Sequence, residues 1–149
     1  AGGGIPKPTF WALRFFAHME GDCVHRSEHA VVVRRSDGSY EGIVWHQGKE
    51  PFEAGMDFQA KGQWVLLTET VDEKHANPLA TWLSMGQPAS LGEEQAAWIR
   101  SSATPLIASE TLGENPRVAL KLASIGFIHF RLMPFCGARD EGYDPEMYL

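Results

Sequence analysis

Between residues 9 and 19, the apolar side chains Phe10, Leu13, Phe16 and Ala17 recur at helical spacing. Pro8 suits a first-turn position, and Gly21 or Asp22 is placed to end the helix. Trp11 and Phe15 widen the apolar stripe beyond one face, so this helix is expected to have neighbours on two sides. The period then drops to two. Ala30-Val31-Val32-Val33-Arg34-Arg35 is a β-branched run, Ser36-Asp37-Gly38-Ser39 is a turn signal, and residues 40–46 form the return strand. Tyr40, Gly42, Val44 and His46 lie on one side of that strand and Glu41, Ile43 and Trp45 on the other, so it is expected to pack on both faces. Residues 49–62 read as a polar loop carrying Phe52, Met56 and Phe58, and residues 63–71 as a further strand.

A helical interruption follows. Asn77 can cap a helix with Pro78 at its first position and Gly86 at its stop. Ser90 and Glu93 have the spacing of a capping box for a second helix reaching about Ser102. Thr104-Pro105 resets the chain to extended structure, and strands are expected at 106–111, 117–122 and 127–133. Val118, Leu120 and Leu122 alternate with Ala119 and Lys121, the pattern of a half-buried antiparallel strand. The expected fold is mainly β: an antiparallel β-sandwich with an inserted two-helix element and one N-terminal helix. Residues 1–22 hold that helix, 23–135 the sandwich with its helical insert at about 77–103, and 136–149 a polar tail.

Composition narrows the functional classes. At 149 residues and 44% hydrophobic, the chain suits one ordinary domain with a real core. Thirteen Lys+Arg against nineteen Asp+Glu leave a net charge of −6, which argues against a nucleic-acid partner. No apolar run approaches the roughly 20 residues that cross a bilayer, so no membrane partner is expected. Cys23 and Cys136 are too few for a disulfide framework, no secretory leader is visible, and the cytosol is the favoured compartment. The opening Ala1-Gly2-Gly3-Gly4, with no initiator Met, suggests a piece of something longer.

Little in the chain suggests chemistry. His25 and His29 lie four apart but in an extended stretch with no third ligand, so no metal site is expected. Cys23 has His25 nearby but follows the end of a helix, where the dipole disfavours a thiolate. Glu93 and Glu94 suit a helix first turn, while Glu69, Asp72 and Glu73 read as a solvated rim. No cofactor loop is framed by Gly2-Gly3-Gly4. Of the five tryptophans, Trp11, Trp82 and Trp98 fall on helices and Trp45 and Trp64 on strands, mostly as core or interface residues.

The run Val71-Asp72-Glu73-Lys74-His75-Ala76-Asn77-Pro78, then Trp82, then Met85-Gly86-Gln87-Pro88, resembles the C-terminal region of glycoside hydrolase family 39 β-xylosidases. Val33 to Ser39 followed by Ile43-Val44-Trp45-His46 is similar to that family's sandwich hairpin. Ile5-Pro6-Lys7-Pro8-Thr9-Phe10-Trp11-Ala12 resembles the start of the last helix of its (β/α)₈ barrel. The resemblance implies a catalytic barrel as partner, with residues 1–22 a remnant of its last helix and the rest a non-catalytic sandwich. The family's acid/base Asn-Glu-Pro motif and its nucleophile Thr-Glu-Trp-like motif have no counterpart here. Glu114-Asn115-Pro116 has the wrong order, and Thr68-Glu69 runs on to Thr70 inside a strand. No catalytic residue is therefore expected in this chain. A second copy and a xylo-oligosaccharide are further candidate partners, with Trp45, Trp64 and His75 as the candidate sugar contacts. The alternative reading is a free-standing carbohydrate-binding module using exposed Trp45 or Trp64.

Overall fold

A computed structural model describes residues 4–136; most of the expected tail, from residue 137 on, lies outside the described residues. The chain runs α1 (Pro8–His18), β1 (Asp22–Arg26), β2 (Ala30–Arg34), β3 (Tyr40–His46), β4 (Phe52–Asp57), β5 (Trp64–Asp72), α2 (Pro78–Ser84), α3 (Glu93–Ser101), β6 (Leu106–Leu112), β7 (Arg117–Leu122) and β8 (Gly126–Pro134). Six strands form one antiparallel sheet in the order β1-β2-β3-β8-β5-β6, and β4 pairs with β7 in a second. This is the expected mainly-β fold: two antiparallel sheets, an N-terminal helix and an inserted helical pair, with no closed barrel among the described residues. Among those residues, no helix is long and apolar enough to cross a membrane.

The two sheets enclose the main core. Val118, Leu120 and Leu122 of β7 are buried against Val32, Val44, Leu66, Ile128, Phe130 and Leu132 of the larger sheet. Strict alternation along β7 produces this, because every second side chain turns inward. Gly42 and Phe130 are cross-strand partners, and a Cβ on Gly42 would lie 2.5 Å from the Phe130 ring. The missing side chain is what lets Phe130 lie across β3. The opposite face of the large sheet is also apolar: Ile43 and Val71 are buried there with Phe15 of α1 and with Ala76. That explains why β3 reads as apolar on both sides.

Two expectations need correction. Residues 52–57 are a strand and not part of a polar loop; Phe52, Ala54 and Met56 alternate with Glu53, Gly55 and Asp57, and the inward set packs on the core. The alternation is the period-two signal of a half-buried strand, but Glu53, Gly55 and Asp57 are poor strand formers and the segment lacks β-branched residues. The second helix is capped by Gly92 and not by Ser90. Glycine has no side chain to return, so only half of a capping box exists: the Gly92 backbone N–H donates to Gln95 Oε1 at 3.1 Å. The first insert helix starts and stops as expected, with Asn77 Oδ1 accepting from the Ala80 N–H and Gly86 at φ +83° past its end.

Candidate functional site

Helix α1 lies on the outer face of the large sheet, and the groove beside it gathers the described charged side chains most deeply set in the fold. Register dictates this. Ile43, His129 and Glu69 are direct cross-strand partners, as are Glu41, Arg131 and Leu67, so both rows project from one face. His129 is 6% exposed; its Nε2 lies 2.8 Å from Glu41 Oε1 and its Nδ1 3.3 Å from Glu69 Oε1. Glu41, 4% exposed, also pairs through its second oxygen with Arg35. Phe15 stacks on the His129 ring with centroids 4.5 Å apart and planes at 12°. Arg14, His18 and Glu20 complete an open groove of about 790 Å³, in which the Nε of Arg131 is buried with no hydrogen-bond partner among the described residues.

Two glutamates on one groove invite comparison with a glycosidase pair, in which facing carboxylates flank a glycosidic bond. Here the imidazole of His129 fills the gap between Glu41 and Glu69, and Phe15 lies over it. Neither carboxylate has space between them for a sugar. The arrangement satisfies buried charge with opposite charge and hydrogen bonds. Glu69 is thus a groove residue, which corrects the solvated-rim reading. The sequence places Glu41 on the face of Ile43 and Trp45 but assigns it no role, and His129 is passed over; the available signal was a polar residue at alternate positions of strands otherwise apolar on both faces.

The Asp72-to-Asn77 run builds the exit from β5. Asp72 Oδ1 accepts from the backbone N–H groups of Lys74 (2.9 Å) and His75 (2.7 Å) and meets His75 Nδ1 at 2.9 Å. Burial pushes the Asp72 carboxyl up, but these bonds outweigh it and hold the group below its ordinary value. Ala76 follows at φ +57°, fully buried in the outer core. Asn77 then donates from Nδ2 to the Glu73 carbonyl (3.0 Å) while capping α2. Asp72 also belongs to this turn and not to a solvated rim.

The candidate sugar contacts are not brought together. Trp64 is 7% exposed in the main core, with its indole N–H donating to the Lys61 carbonyl and its ring beside Tyr40. Trp45 is half-buried on the outer face, 6.4 Å from the Phe16 ring. His75 is half-exposed and tied to Asp72. His25 sits in β1 opposite Val32, across a turn from His29, and the described residues contain no cluster of three or more potential metal ligands. Cys23 and Cys136 are both exposed and unbridged.

Helix α1 itself is two-sided. Its inner side is pinned by Phe15 and by Trp11, whose indole N–H donates to the Ala103 carbonyl at 2.8 Å, while Arg14 lies over the Trp11 ring. Its outer side leaves Phe10 48%, Leu13 67% and Phe16 48% exposed.

Known proteins share this architecture. The chain is similar to the GH39 enzyme of Xanthomonas axonopodis pv. citri, with a TM-score of 0.71 at 18% identity, over 89% of this chain and 31% of that one. It is similar to a monomeric β-xylosidase of Caulobacter crescentus CB15, with a TM-score of 0.74 at 16% identity, over 91% and 32%. A β-xylosidase of Geobacillus stearothermophilus is 30% identical over 115 residues, which take in 71% of this chain and 22% of that protein. The chain thus spans a fifth to a third of the length of these relatives. The family model for glycosyl hydrolases family 39 matches residues 2–115, most of the chain, and the protein belongs to that family.

Proposed function

We propose that this chain is the non-catalytic β-sandwich portion of a β-xylosidase-like glycoside hydrolase, holding the catalytic (β/α)₈ barrel through the outer side of α1. The observation that carries this reading is the two-sidedness of α1: one side fixed to the sheet, the other presenting Phe10, Leu13 and Phe16 to water. A contiguous apolar patch on an anchored helix suits a docking surface. The sharing of this fold by relatives about three times as long supports the same reading. Cytosolic placement belongs to the proposal and is supported by two exposed free thiols.

The carbohydrate-binding alternative needs an open aromatic platform. Trp64 is in the core and Trp45 is half-covered, which favours the scaffold role. Titration with xylo-oligosaccharides, followed by tryptophan fluorescence, separates the two. A flat response is expected, together with no turnover of an aryl β-xyloside by this chain alone. Saturable quenching supports the binding module, and turnover above background overturns both readings.

A further inference from the structure

Both ring nitrogens of His129 face carboxylates: Nε2 lies 2.8 Å from Glu41 Oε1 and Nδ1 3.3 Å from Glu69 Oε1. A neutral imidazole carries one N–H and one lone pair, so one of these contacts then sets a lone pair against a carboxylate oxygen. Only the doubly protonated ring donates to both. His46 and His75 differ in this respect, since each meets a single carboxylate, which a neutral ring can satisfy. Turning the His129 ring away from the conflict breaks its stack with Phe15, the one buried residue of α1. The protonation state of His129 and the seating of α1 are therefore joined through one aromatic contact.

We propose that His129 is a proton-operated latch for α1: a second ring proton bridges Glu41 to Glu69 and fixes the platform on which Phe15 sits, and loss of that proton loosens the helix. Histidine suits such a role because imidazole changes charge between about pH 5 and 8. The other charges on the groove decide the direction. Burial of the ring opposes its charge, and so do the guanidiniums of Arg35 and Arg131. Arg35, however, is engaged by the second oxygen of Glu41, and Arg131 lies in the neighbouring cross-strand row. From α1, Arg14 lies over the Trp11 ring, while His18 and the nearby Glu20 are exposed at the helix end. The two groups in contact with the ring nitrogens are both carboxylates, and charges in contact outweigh those a row away. A cationic ring is also held more firmly than a neutral one on the face of Phe15. The latch lies within this chain and does not depend on what α1 docks.

Hydrogen exchange of the α1 backbone amides, corrected for the intrinsic pH dependence of exchange, tests this. Between about pH 5.5 and about pH 8.5 the open fraction of α1 is expected to rise about tenfold, the effect of losing one charge-assisted hydrogen bond, while the amides of β7 keep their protection. Glu69→Gln is expected to abolish the rise, because an amide can donate to a neutral Nδ1 and so satisfies the ring without its second proton. His18→Gln, on the same groove but not among the ring's contacts, is expected to keep the rise. Nitrogen NMR of the His129 ring in the unsubstituted chain is expected to show two protonated nitrogens at the acid end of the range and one at the alkaline end, with the change tracking the opening of α1. A ring that holds a single proton throughout overturns the proposal. So does α1 protection that does not vary with pH, or a rise in opening that persists in Glu69→Gln or vanishes in His18→Gln.

Discussion

Glu41 is the residue on which the outer face depends most. Its carboxylate holds Arg35 and His129 at once, almost wholly out of water. Removing one partner of a buried ion pair leaves the other charge desolvated and unpaired, which costs about 3 kcal/mol. Glu41→Ala is therefore expected to destabilise the chain by roughly that amount in urea unfolding, with Glu41→Gln costing less because it keeps a hydrogen-bonding group. Asp72 makes a pH-dependent contribution of known sign. Its folded carboxyl titrates below the ordinary value of 3.8, so its stabilising effect is full above that value and is lost as pH falls through the lower, folded one. Asp72→Asn is expected to flatten the acid limb of a stability–pH curve measured below about pH 5, without altering its neutral slope. The Asn77 cap and the first-turn Pro78 could be read from sequence because their roles are local, whereas the turn closed by Asp72 reads there as a solvated rim. The Glu41–His129–Glu69 cluster could not, because it is assembled from three strands far apart in the chain.

At the scale of the element, α1 is held by few contacts of high quality. Phe15, 5% exposed, is in contact with both His129 and Phe127, and no other residue of the helix is as deeply buried. Phe15→Ala is expected to cost about 3 kcal/mol and to release the helix from the sheet. Limited proteolysis should then cut between α1 and β1, where the parent chain resists. The strands that declared themselves in the sequence, such as β2, β3 and β7, have strong β-branched runs or clean alternation. β4 did not, because it has no β-branched residue and its outward positions are Glu53, Gly55 and Asp57, residues that strands disfavour. Its pairing with β7, all six residues in register, supplies what its own propensity lacks. The cap of α3 slipped by two residues for a similar reason: Ser90 and Gly92 both precede the helix, and only the backbone geometry chooses between them.

For the whole molecule, the sandwich is complete in its core and open on its α1 side. Leu13 illustrates the difference. At 67% exposure it contributes little to this chain, so Leu13→Glu is expected to shift stability by no more than about 0.5 kcal/mol. A larger loss would mean that the outer side of α1 has an internal partner, which is incompatible with a docking role. The fold class was legible from periodicity and turn residues, because those encode layers. The docking role proposed here draws on family resemblance as well as on the exposed side of α1, because a docking surface is defined by what it meets. The most direct test of that use is side-chain oxidation footprinting of Phe10, Leu13 and Phe16 in the isolated chain and in the full-length polypeptide read from its gene. Strong reactivity in the isolated chain and protection in the full-length protein are the results we expect. Equal reactivity of the three side chains in both would contradict the docking account.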